Sequence, residues 1–285
     1  MMPGKLWLDK RELILNKNKN IIILKLGGSL LTDKNKPFSI REDIVKDSIQ
    51  QIVDAEEKLI LIHGGGSYGH PLAKKYSIVK GIDSTIPNQV LGLTETHQSM
   101  NKFNSYMIKL FLEKKFPVLS IQASSIFIKD SNEISTSSME VIETALDLNI
   151  MPILYGDIIL DKQGSFSIIS GDQIILELCK NLERYRISKV IFTMETEGIY
   201  VDDDQSNKGY KLATECYSDD LDNLKLADLG QKIDVTGGIR GKLNFIKQIC
   251  DKNIPIQLIN GLKDEYIYKS LKNQEIDCTN ILIRR

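Results

Sequence analysis

The chain reads as an α/β protein with a mostly parallel sheet covered by helices on both faces. Three features carry that reading. Apolar runs of strand length alternate with stretches of helical period from residue 20 to the C-terminus. The length, 285 residues, suits one large α/β domain or two small ones, and no low-complexity linker separates two units. The apolar fraction of 42% and the charged fraction of 26% are those of a globular chain, not a disordered one.

Each element follows in order. IIILKL (21–26) is interrupted only by Lys25 and reads as a buried strand. REDIVKDSIQQIVDAEE (41–57) spaces its apolar residues along one helical face, and KLILIH (58–63) returns to a strand. Between Pro87 and Lys115, the residues Leu91, Met100, Phe103, Met107 and Leu110 recur at roughly helical spacing. Strand FPVLSI (116–121), a polar hairpin region, helix MEVIETALDL (139–148) and strand IMPILY (150–155) come next. The second half repeats the alternation with helix DQIILELCKNL (172–182), strand KVIFTM (189–194), helix LNFIKQICDK (243–252) and strand IPIQLI (254–259). Residues 1–20 read as an added arm, and residues 21–285 as the folded domain.

Composition excludes several classes. Lysine plus arginine number 37 against 38 acidic residues, so a formal charge of −1 gives no bulk attraction to nucleic acid or to an anionic membrane. No stretch approaches the twenty or so apolar residues of a spanning helix, and the charged first twenty residues lack a signal-peptide core. Cys179, Cys216, Cys250 and Cys278 form no CxxC pair, which predicts reduced thiols in a cytoplasmic protein and no zinc site.

Ligands of such a sheet bind where strands end and loops turn into helices. Five of those points carry glycines. KLGGSLLTDK (25–34) places Lys25 at a strand end, followed by Gly27, Gly28 and Ser29. A glycine pair is ordinarily a tight turn, but it also lets backbone N–H groups approach a phosphate. A lysine at the end of a buried strand calls for an anionic partner, whereas Lys34 reads from the residues alone as a solvated loop charge. HGGGSYGH (63–70) contains GxGxxG at Gly64, Gly66 and Gly69, yet no strand ending in an acid follows it, so the dinucleotide reading fails its context test. The triple glycine better fits a loop wrapped around phosphates, with His70 beside it as a ligand. His63 and His97 take the structural default. YGD (155–157) and ISGDQI (169–174) each put an aspartate beside a glycine. For Asp172 the structural expectation is helix N-capping and the functional one is fixing lysine ammonium groups. In DVTGGIRGK (234–242), Gly237 and Gly238 precede a helix whose first turn holds Lys242, a place that favours a cation only beside an anionic ligand. There is no GxxxxGK[ST], no HRD or DFG, and no GxSxG. Phosphate handling by another architecture is the reading that remains.

KLGGS, HGGGSYGH, the two GD pairs and DVTGG with its following lysine, in this order from about residue 20 to the C-terminus, resemble the amino acid kinase superfamily, and within it the isopentenyl phosphate kinases. The terminal His70 of the second motif is the most specific element. The resemblance implies an open αβα sandwich, with residues 21–170 binding the acceptor and 171–285 binding ATP, assembled as a homodimer. It implies transfer of the γ-phosphoryl of Mg-ATP to isopentenyl phosphate in isoprenoid biosynthesis, with ATP and Mg2+ as cofactors and small molecules as partners, and with no residue holding a metal. By position, Lys25 and Lys242 contact the nucleotide phosphates, Lys34 matches the transition-state lysine, and Asp172 orients the lysines. His70 donates to the acceptor phosphate beside Gly65 and Gly171. Gly27, Gly28, Ser29, Gly66, Glu195, Gly198 and Gly238 fall on the nucleotide side.

The chemistry agrees. A phosphate monoester is largely dianionic at neutral pH, its second pKa being about 6, so the acceptor needs cations around it and no aspartate base. Three places depart from the motifs. Glu195 and Glu197 in METEGIY stand where aspartates are usual, Cys278 stands for a glycine before Thr279, and the arm has no counterpart. Fosfomycin kinase, which shares the histidine-bearing loop, is the nearest rival; a nucleotide sensor on the same fold and a dinucleotide oxidoreductase are the others. The discriminator is the acceptor tail, which wants apolar walls. Leu91, Met100 and Phe103 offer such walls, although the same stripe is what a core-facing helix shows.

Overall fold

The computed structural model describes residues 20–284 apart from 34, 132, 137, 204, 207 and 228–237. Residues 1–19 of the expected N-terminal arm, Lys34 and Gly237 lie outside the described residues, while Asn20, assigned to that arm, opens the first strand.

The chain opens with strand β1 (Asn20–Leu26), a short helix α1 (Gly28–Leu31), helix α2 (Glu42–Ala55) and strand β2 (Leu59–His63). Helices α3 (Gly66–Lys75) and α4 (Gln89–Glu113) lead to strand β3 (Val118–Ser120), α5 (Ala123–Ile126), and strands β4 (Phe127–Asp130) and β5 (Glu133–Thr136). Helix α6 (Glu140–Asp147), strands β6 (Met151–Tyr155), β7 (Asp157–Asp161) and β8 (Ser165–Ile169), and helix α7 (Gly171–Asn181) complete the first two thirds. Then come β9 (Arg186–Met194), β10 (Tyr200–Asp202), β11 (Tyr210–Leu212), β12 (Glu215–Tyr217), α8 (Gly238–Cys250), β13 (Ile256–Asn260), α9 (Tyr266–Leu271) and β14 (Thr279–Leu282).

Among the described residues the central sheet has the order β12-β14-β13-β9-β1-β2-β6-β3, and every neighbouring pair is parallel except β13 with β14. This is the expected architecture, a mostly parallel sheet between two helical layers. Alternation along β1 assigns its side chains to the two faces. Ile21 and Ile23 join Val190, Phe192, Ile174 and Leu178 in one buried cluster, which α6, α7 and α8 cover. Ile22, Leu24 and Leu26 join Val45, Ile49, Phe103 and Met107 in the other, under α2, α4 and α9. The same alternation puts Lys25 on the face of α7.

A four-stranded sheet, β5-β4-β7-β8, stands apart from the central one. The polar hairpin expected near residue 130 is its β4–β5 half. Its β7–β8 half carries no strong signal, since DIILD and SFSII mix polar and apolar residues without an apolar run of strand length, and they close on Gly164 at φ 78°. A third apolar cluster, Ala73, Ile78, Leu93, Ile158 and Phe166, fills the space between α3, α4 and this small sheet. Met100 and Phe103 are core residues and Leu91 is exposed, so the stripe on α4 faces the core. No helix among the described residues is long and apolar enough to cross a membrane.

Candidate active site

The site forms at the carboxyl ends of β1, β2, β6 and β9, where Leu26, His63, Tyr155 and Met194 pass into loops. Lys25 is 8% exposed, and its Nζ lies 2.5 Å from Asp172 Oδ1. Lys242, from α8, brings its Nζ to 3.3 and 3.4 Å from the two oxygens of the same carboxylate. Both ammonium groups stand over the Phe192 ring, at 5.8 Å and 5.2 Å from its centroid. Burial lowers the Lys25 pKa to about 8, only partly offset by the Asp172 charge. Burial alone would raise the Asp172 carboxyl, but the Lys25 and Lys242 charges outweigh it and hold it at about 2. Two cations on one anion leave this cluster with net positive charge.

Asp172 is not the helix cap. The N-cap of α7 is Ser170, whose hydroxyl accepts from the Gln173 N–H at 3.1 Å. Asp172 sits in the first turn beyond it, and its carboxylate is free to turn toward β1. The lysine-fixing expectation therefore describes its side chain. Helix α8 starts at Gly238, which places Lys242 just past the first turn expected for it.

The two glycine loops touch through their backbones. A Cβ on Gly28 would stand 2.4 Å from Gly66 N, and one on Gly64 would stand 2.6 Å from Gly28 N. Gly66 has φ 48°, and a Cβ there would meet Thr32 Oγ1 at 2.1 Å. The Thr32 hydroxyl donates to Gly28 O at 2.7 Å and accepts from Ser67 N–H at 2.9 Å, which stitches the loops together. Thr193, at the end of β9, donates to Lys25 O at 3.0 Å and accepts from Gly27 N–H at 3.2 Å. Gly171 packs against the Lys25 stem, since a Cβ there would lie 3.2 Å from Lys25 Cε.

His63 and His70 part company. His63 is fully buried, stacked on Tyr155 at 5.3 Å, with Nε2 3.2 Å from Asn104 Oδ1; burial lowers its pKa to about 4. His70 lies on α3 and is exposed at the head of the glycine loop. Gly65, beside it, packs against Met100 Sδ, which a Cβ would approach to 3.1 Å. Ser29 belongs to α1, next to Gly28.

On the other side, Glu195 pairs with Arg41 Nη1 at 3.1 Å, and Glu197 takes Lys263 Nζ and the Tyr200 hydroxyl, each at 2.8 Å. Burial would raise the Glu197 carboxyl, but the Lys263 and Tyr200 hydrogen bonds prevail and hold it at about 2. Gly198 lies against Thr279, whose Oγ1 a Cβ would meet at 2.1 Å. A cavity of about 440 Å³ opens here between Thr196, Tyr200, Lys208 and Tyr210.

The profile of the amino acid kinase family matches residues 20–260. The chain belongs to that family. An isopentenyl phosphate kinase of Methanocaldococcus jannaschii is 32% identical to this amino acid kinase over 275 residues, covering 92% of this chain and 98% of the relative. One from Methanothermobacter thermautotrophicus is 30% identical over 270 residues, with the same coverage of 92% and 98%. A solved isopentenyl phosphate kinase structure superposes with a TM-score of 0.77 at 27% identity, over 92% of this chain and 99% of the other. UMP kinase from Ureaplasma parvum, with a TM-score of 0.61 and 15% identity, shares the fold alone.

In this amino acid kinase the structure brings Lys25, Asp172 and Lys242 into one cluster and sets the Gly27–Gly28 and Gly64–Gly66 loops against each other. Glu195 is tied to Arg41 instead of pointing into the lysine cluster. Phe192 and Thr193 went unmarked in the sequence. For Phe192 the signal is register: a parallel neighbour of β1 must place some side chain beside Lys25, and Phe192 is that partner.

Proposed function

We propose that this kinase transfers the γ-phosphoryl group of Mg-ATP to isopentenyl phosphate, giving isopentenyl diphosphate and ADP. The observation that carries the reading is the buried Lys25–Asp172–Lys242 cluster beside two glycine loops in backbone contact, one of which ends at an exposed His70. An oxygen of the acceptor phosphate attacks the γ-phosphorus, the bond to the β-bridging oxygen breaks, and ADP leaves with that electron pair. Charge on the transferring group is met by Lys25 and Lys242, which Asp172 holds in place, and Lys34 adds a third cation in this proposal. His70 donates to the acceptor phosphate near Gly65 and Gly171. A dianionic acceptor is its own nucleophile, so the cluster needs no base.

Residues 21–170 take the acceptor and residues 171–285 the nucleotide. The phosphates lie along Gly27, Gly28, Ser29, Gly66 and Gly238, with Gly198 and the Tyr200–Tyr210 cavity receiving the rest of ATP. Glu195 acts there through Arg41. Among the described residues no group of three or more His, Cys, Asp or Glu stands ready to hold a metal ion. Bound with ATP, Mg2+ would supply charge neutralisation to the phosphates that Lys25, Lys242 and the glycine loops hold. The protein works as a cytoplasmic homodimer on small molecules, without nucleic acid or membrane.

The test is ADP release from Mg-ATP by the purified protein with isopentenyl phosphate and with fosfomycin in parallel. Turnover with isopentenyl phosphate alone is expected. Turnover with fosfomycin alone moves the protein to the rival kinase, and silence with both favours a nucleotide sensor. In the same assay His70→Ala is expected to cost on the order of 100-fold in kcat, the scale of one transition-state donor, with the fold intact by circular dichroism. Near-normal kinetics would remove His70 from the site.

A further inference from the structure

We propose that His97 is a positioning residue for the acceptor side: it ties the helix that walls the histidine-bearing glycine loop to the strand end that floors it. The inference rests on the acceptor assignment above. Asp157 opens β7 with a side chain 0% exposed, so its carboxylate needs partners. It accepts from the Ile158 N–H at 2.8 Å, from the Ser124 hydroxyl at 3.2 Å, and from His97 Nδ1 at 2.9 Å to both oxygens. The second ring nitrogen of His97 faces the Asn101 side-chain amide at 3.0 Å, and Asn101 Oδ1 accepts the Tyr155 hydroxyl. An acceptor on one side and a donor on the other put the proton on Nδ1 and leave Nε2 to accept.

The strand segment and the helix that these bonds join both reach the glycine loop. Tyr155 stacks on His63, the residue that begins the loop, and the following Gly156 N–H donates to His63 O at 3.2 Å. From α4, the helix of His97, the Ser99 hydroxyl donates to Tyr68 O at 2.7 Å, and Met100 closes against Gly65 and Gly69. The wall and the floor thus hold the same eight residues, 63–70, and the imidazole spans the gap between them. A ring that is rigid, donates at one nitrogen and accepts at the other does this with one fixed geometry. Its side chain is 24% exposed, so it is not there to fill the core.

The experiment compares the full-length wild type, His97→Ala and His97→Gln. Steady-state ADP release is measured with isopentenyl phosphate and Mg-ATP varied in turn, beside hydrogen exchange of the backbone amides. His97→Ala is expected to raise KM for isopentenyl phosphate about tenfold, the cost of one charged hydrogen bond, with KM for ATP nearly unchanged. Amides of residues 63–70 exchange faster in that variant, while those of 238–250 do not. A glutamine side-chain amide can still donate to Asp157, so His97→Gln recovers most of the acceptor affinity. Asn101→Ala cuts the other end of the tie and gives the same split if His97→Ala does not fold. A variant that melts earlier yet keeps both KM values, or one that raises both equally, overturns the proposal. Silence of the wild type with isopentenyl phosphate defeats the acceptor assignment alone, and the exchange pattern still decides whether His97 holds residues 63–70.

Discussion

Asp172 neutralises one of the two ammonium groups it touches, and that imbalance is what an incoming polyphosphate meets. Lys25 is the sensitive member, because burial has already brought its pKa down to about 8. Above that value it loses its proton, and with it the charge that phosphate binding needs. The free-enzyme parameter kcat/KM is therefore expected to fall along an alkaline limb near pH 8, well below the 10.5 of an ordinary lysine. Asp172→Asn removes the neighbour that supports the proton, so the limb moves to lower pH, and kcat falls on the order of 100-fold as the lysines drift apart. A pH profile that stays flat well past 8, or a limb that moves upward in the variant, contradicts this assignment. These residues were legible because their types conflict with their places: a lysine in a buried strand and an aspartate opening an apolar helix. His97 was not, because its partner Asp157 lies 60 positions away and a helical histidine looks the same with or without one. Glu195 was legible as an acid at a strand end, but its pairing with Arg41, 154 positions apart, is a property of the fold.

The short helices and turns around the lysine cluster differ in how much substitution they tolerate. Gly66 combines a left-handed φ of 48° with a contact in which a Cβ would sit 2.1 Å from Thr32 Oγ1. Gly66→Ala is expected to destabilise by about 2 kcal/mol or more, because strain and overlap add. Ser170→Ala loses only the cap on α7 and is expected to cost about 1 kcal/mol. Urea denaturation of the two variants checks the order, and a milder Gly66→Ala would mean that the loops can separate. Elements with several helical repeats or an uninterrupted apolar run were legible. β1, β2, α2 and α4 lie within a few residues of their expected ranges because apolar spacing alone dictates them. The strands β4, β5, β7, β8, β12 and β14 hold three to five residues each. Their pairing partners, not their own patterns, make them strands, and the reversal of β14 against β13 has no local signal at all.

Stability should fall off from the centre of the sheet to its edges. Leu24 on β1 is 0% exposed between strands on both sides, and Leu24→Ala is expected to cost about 3 kcal/mol or more. Leu119 on the edge strand β3 is 39% exposed, and Leu119→Ala should stay within about 1 kcal/mol. Equal costs by urea denaturation would contradict the layered core. The strand order also has a consequence for birth at the ribosome. β1 is translated long before β9, one of its two neighbours in the sheet, which begins only at Arg186. At about 10 residues per second, β1 and β2 wait roughly ten seconds after His63 is made with the β9 side of β1 unpaired. An open, apolar parallel edge is an aggregation template for neighbouring nascent chains. Expression of C-terminal truncations that end before β9 should accordingly give insoluble protein or chaperone-bound chains, while the full-length chain closes that edge on itself.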